Sequence, residues 1–110
     1  MAANVDSKFP GAEKHEISLE EAKLHIQRHK KNPIHPNHHG GSFDRAVIDK
    51  ILAQPGCARL RYYHGRNEDG LPNIVLVGVD ASGKDMVKGT IAERPNGCPP
   101  FCDAESILLK

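Results

Sequence analysis

Hydrophobic residues are thinly spread over the first third of the chain. Residues 1–16 are polar, contain a Pro-Gly pair and show no period, which predicts a flexible leader. Ser18-Leu19-Glu20-Glu21 then forms a capping box: the hydroxyl accepts from a free amide at a helix start, and the Glu three residues on reaches back. It predicts a helix over 19–31, stopped at Asn32-Pro33 because proline cannot continue it. Leu19, Ala22 and Ile26 give this helix only a narrow apolar stripe, as on a helix lying at a surface. Residues 32–41, rich in Pro, His and Gly, read as a loop. Ser42 is placed to cap a second helix over 43–54, ended by Gln54-Pro55-Gly56. Phe43, Val47, Ile48, Ile51 and Leu52 cover a broad arc of it, so it is the helix expected to be buried.

Beyond residue 56 the period shortens. Leu60, Tyr62 and His64 alternate with Arg59, Arg61 and Tyr63, the two-residue repeat of a strand. Asn67-Glu68-Asp69-Gly70 supplies a turn. Ile74 to Val79 is apolar at successive positions, which predicts a central strand covered on both faces. Ala81-Ser82-Gly83-Lys84 turns the chain again, and Met86 to Ile91 is expected to make a third strand. Two short connections in succession favour an antiparallel meander. With both helices ahead of the strands, the expected fold class is α+β: two N-terminal helices packed on a small antiparallel three-stranded sheet, or on a larger one completed by a dimer partner. Residues 17–110 are expected to form a single α+β domain behind the leader.

Composition narrows the function classes. No apolar run approaches the roughly 18 residues of a membrane helix. The polar start lacks the pattern of a secretory signal, so a cytoplasmic protein with thiols in a reducing setting is expected. Basic and acidic residues number 15 and 14, which leaves none of the basic surplus that phosphate neutralisation demands and speaks against a nucleic-acid partner. There is no Gly-rich phosphate cradle, and Ser42, Ser82 and Ser106 sit in no nucleophile-elbow context. Arg59, Arg61 and Arg66 beside Tyr62, Tyr63 and His64 read as the solvated face of a strand, where charges also guard an edge against wrong pairing. No convergent catalytic set emerges.

Cysteine and histidine carry the remaining candidate chemistry. Cys98-Pro99-Pro100-Phe101-Cys102 spaces two thiols four residues apart. The pair is open to four readings: small apolar residues pinning the tail, half of a zinc site, a redox pair, or a local disulfide. Zinc would need further ligands, for which Cys57 and a His are the candidates. His25 and His29 stand one helical turn apart, as two metal ligands on a helix would, while His35, His38 and His39 follow in the loop. Ile26 stands where a His-Glu-x-x-His hydrolase would carry its Glu, so that mechanism has no support. The candidate metal set is therefore Cys57, Cys98, Cys102, His25 and His29, weighed against a solvated helix flank.

Residues 48–57 (IDKILAQPGC), Arg61-Tyr62-Tyr63-His64-Gly65, Leu76-Val77-Gly78-Val79-Asp80 and the closing Cys-Pro-Pro-Phe-Cys make up a recurring phrase. In these segments, over about residues 17–102, the chain resembles a group of small bacterial proteins of Bacteroidetes type. The resemblance implies no activity and no cofactor, and the His-rich loop departs from it. Two functions stay in view: a non-enzymatic binding or assembly module acting as a homo-oligomer or with a protein partner, and a metal- or thiol-dependent site built from Cys57, Cys98, Cys102 and His.

Overall fold

The computed structural model describes residues 9–11 and 14–110; the expected leader lies largely outside them. It has an α+β fold of two helices and antiparallel strands, in the order α1 (Leu19–Lys31), β1 (Gly40–Ser42), α2 (Arg45–Leu52), β2 (Cys57–Arg66), β3 (Pro72–Asp80), β4 (Ile91–Ala92) and β5 (Asn96–Cys98). Two compact units hold these elements. One comprises Phe43–Pro95 with Phe9 and Pro10, the other Gly11–Ser42 with Asn96–Lys110.

The first unit is a three-stranded antiparallel sheet in the order β2-β3-β4 with α2 against it. The apolar run at 74–79 is the central strand, as its pattern required, with Leu76, Val77, Gly78 and Val79 buried. One face of the sheet packs under α2. Ile51, Leu76 and Ala92 form its buried centre, ringed by Phe43, Val47, Ile48, Leu60 and Ile74. Each wholly buried aliphatic chain of this kind contributes about 1.5–3 kcal/mol. Helix and sheet meet closely because Gly78 has no side chain. A Cβ there would stand 3.0 Å from both Cys57 Sγ and Gln54 Nε2, and 3.3 Å from Ile51 Cγ2.

The opposite face buries Val77 and Val79, at 3% and 0% exposure. Its cover comes from the chain itself, so the middle strand needs no dimer partner to bury it. The connection after β3 turns back here, with Asp85 bridging to Val79. This differs from the expected third strand over 86–91. Met86 donates its amide to the Gly78 carbonyl at 2.8 Å, and Gly89 then closes a turn on Met86 at 3.1 Å. Strand pairing resumes only at Ile91 and lasts two residues. The second helix is also shorter than its pattern suggests. Asp44 stands at its N-cap, because Ser42 is spent in β1.

The second unit pairs β1 with β5 as a short antiparallel ribbon, Gly40 facing Cys98 and Ser42 facing Asn96. Its helix α1 starts as the capping box dictates, Ser18 Oγ accepting from the Glu21 amide at 3.1 Å. Lys30 Nζ at the far end donates to the Leu109 carbonyl at 2.6 Å. Ala22, Ile26 and His29 are its partly covered face, whereas Leu19 and Leu24 are about half exposed. No described residue of this unit is buried.

Candidate thiol–disulfide site and histidine loop

The ribbon determines what lies beside the cysteine pair. Cys98 ends β5, and its sulfur is bonded to that of Cys102 four residues on. The peptides between Cys98 and Pro99 and between Pro99 and Pro100 are cis, and the Phe101 amide donates to the Gly97 carbonyl at 2.9 Å. The turn is therefore closed by a main-chain hydrogen bond as well as by the sulfurs. Cys98 and Cys102 are partly exposed, and Pro99, Pro100 and Phe101 are exposed. Of the readings open for this pair, the local disulfide is the one the structure adopts. In that state neither sulfur is the thiolate that zinc requires.

The His-rich loop enters the same ribbon end. The His39 amide donates to the Cys98 carbonyl at 2.8 Å, one residue before Gly40 pairs with Cys98. Upstream, the His38 amide donates to the His35 carbonyl at 3.3 Å. The His29 Nε2 of α1 lies 3.1 Å from the His38 carbonyl, to which it donates. Partial burial, reinforced by the nearby His35, His29 and His39, holds the His38 imidazole below its ordinary pKa of 6.5. A charge on any of these three neighbours thus discourages a proton on His38.

The remaining candidate ligands do not join this cluster as a set. His25, though one turn from His29, lies beside Arg28, whose Nη1 is 3.4 Å from His25 Nδ1. Cys57 belongs to the other unit, where its thiol is free and donates to the Arg59 carbonyl at 3.4 Å beside Gly78. Among the described residues, no three His, Cys, Asp or Glu side chains are grouped to hold a metal ion.

A second polar cluster lies on the sheet face away from α2. The Asp85 carboxylate accepts from Arg61 Nη1 at 2.5 Å and from the Tyr63 hydroxyl. The Tyr63 bond first, and the Arg61 bond and charge with it, hold the Asp85 carboxyl below the usual carboxylate range. The Phe9 ring stacks on the Arg59 guanidinium 4.0 Å from its centroid, and the two line a shallow recess of about 210 Å³ with Leu60, Arg61 and Tyr62. Alternating Arg in β2 announced a charged face, but the carboxylate that pairs with it comes from a turn 24 residues later. No sequence signal joined them.

The fold and this site define an α+β protein with one disulfide among its described residues. The chain matches no family model, no curated protein and no solved structure.

Proposed function

We propose that the protein is a small non-enzymatic assembly module that works in the cytoplasm by associating with a second copy of itself. The observation that carries this reading is the make-up of the α1–ribbon unit. None of its described residues is buried, yet it displays Leu24, Ile34, Phe101 and Ile107 at half exposure or more. Ordering a chain segment costs roughly 1–2 kcal/mol per residue in backbone entropy alone. A ribbon of three residue pairs and a helix without a buried face offset little of that. Apolar surface supplied from outside would offset the rest. The sheet offers a second contact. β2 is an edge strand of ten residues, so two copies could join at that edge into a larger continuous sheet.

Light scattering at micromolar concentration tests the proposal. The expected mass is near twice 12.1 kDa, reduced towards the monomer by Leu24→Ser combined with Ile107→Ser. A monomer at every concentration would overturn it.

A further inference from the structure

We propose that Cys98 and Cys102 are a reversible dithiol–disulfide pair that exchanges two electrons with cellular thiols. Three observations support this beyond the presence of the bond. First, the bridge does not staple elements together. It joins the end of β5 to the turn that follows, across four residues of sequence separation, and that turn is already closed by the Phe101–Gly97 hydrogen bond. The entropic stabilisation from a crosslink grows with loop length and is least for so short a loop. Second, the pair is accessible: both cysteines are partly exposed in a turn whose other residues are exposed. A buried structural bridge has neither property. Third, the two cysteines are held differently. The His39 amide binds the Cys98 carbonyl, the loop of His35, His38 and His39 follows from there, and His29 in the basic last turn of α1 holds that loop. Cys98 is also paired with Gly40 in the ribbon, whereas Cys102 belongs to no strand, so Cys102 is the freer of the two to carry an incoming thiol.

The exchange then has a direction. An incoming thiolate attacks Cys102 Sγ and forms a mixed disulfide. The Cys98–Cys102 bond breaks, and its electron pair goes to Cys98 Sγ, which leaves as a thiolate. A second thiolate attacks the mixed disulfide at the sulfur of the first and releases the Cys102 thiolate. The incoming pair leaves as a disulfide, both cysteines take up protons as the pH dictates, and the protein has gained two electrons. Oxidation runs the same steps backwards. Cys57 takes no part.

Glutathione and dithiothreitol serve as the two probes, one a monothiol and the other a dithiol. Full-length protein is equilibrated over a range of reduced-to-oxidised ratios, quenched with acid, alkylated and weighed. The expected result is a smooth shift between zero and two added alkyl groups at positions 98 and 102, with far-ultraviolet circular dichroism unchanged. Cys57→Ser should behave like the wild type at this pair. In oxidised glutathione, Cys98→Ser should accumulate one glutathione on Cys102. A bridge that survives excess reduced glutathione, or that opens only as the circular dichroism collapses, would make it a structural link and overturn the proposal. A pair that stays reduced in oxidised glutathione would overturn it equally. Light scattering on the oxidised and reduced forms reports separately on self-association, which this inference does not require.

Discussion

His39 donates its main-chain amide to the carbonyl oxygen of Cys98 at 2.8 Å, and this bond seats the His-rich loop on the ribbon. Within that loop the fold disfavours the charged form of His38. For His38 the folded pKa lies below its ordinary 6.5, so the unfolded chain binds the proton more readily. The stability linked to this group is therefore complete above about 6.5 and is lost as the pH falls from there towards the lowered folded value. The protection of the His38 and His39 amides relative to the unfolded chain is expected to fall over that interval, and an NMR titration should place the His38 midpoint below 6.5. A midpoint at or above 6.5 would refute the account of the loop.

The carboxylate of Asp85 is the other strongly placed charge. Its folded pKa is lowered from 3.8, so it stabilises the fold above that value, and the contribution disappears as the pH falls through the lowered one. Asp85→Asn removes the charge and should leave Arg61 and Tyr63 with a weaker acceptor. The variant is expected to melt at a lower temperature than the wild type at pH 7, and the gap should narrow in strong acid. An equal gap at both ends of the range would mean that the side chain acts through packing instead.

How far the sequence foretold these features depended on whether their causes were local. The capping box named α1 to the residue, because Ser18 and Glu21 are neighbours and the bond between them needs nothing else. The apolar run at 74–79 likewise named the central strand, since burial on both faces leaves no room for polar alternation. The ribbon was not legible. Gly40-Gly41-Ser42 and Asn96-Gly97-Cys98 lack apolar alternation, and more than fifty residues separate them. Their pairing is a main-chain event with no side-chain signature. For the same reason Ser42 looked like a helix cap, and the place of the His loop beside Cys98 could not be read from spacing. The open readings of the cysteine pair were a fair measure of that loss. The Arg61–Asp85 contact was hidden by another cause: the turn after β3 folds back on the sheet instead of continuing as a strand.

Gly78 lies where α2 descends on the sheet. Its replacement by Ala places a methyl group within 3.0 Å of Cys57 Sγ and of Gln54 Nε2, and 3.3 Å from Ile51 Cγ2. Overpacking of this sort costs about 1–3 kcal/mol. Gly78→Ala should lower the urea midpoint accordingly, and pairing it with Cys57→Ala should recover part of the loss by freeing one of the three contacts. A double variant no more stable than the single one would show that helix displacement, not the sulfur contact, sets the penalty.

Gln54 fastens the same helix end to the start of β4. Its Nε2 donates to the Ile51 carbonyl at 2.8 Å, and its Oε1 accepts the Thr90 amide at 2.9 Å in a partly buried setting. Removing the side chain leaves a main-chain amide without its acceptor, which costs about 1–3 kcal/mol when water cannot replace it. Gln54→Ala is therefore expected to destabilise the sheet unit by that amount and to raise amide exchange at Thr90 first. Gln54→Glu separates the two bonds. It keeps an acceptor for Thr90 but brings a carboxylate against the Ile51 carbonyl, so it should protect the Thr90 amide while still lowering stability at pH 7. Lowering the pH to protonate the introduced carboxyl restores a donor, and the deficit should shrink. If Thr90 exchanged at the wild-type rate in the Ala variant, the strand would have to be held by something other than this side chain.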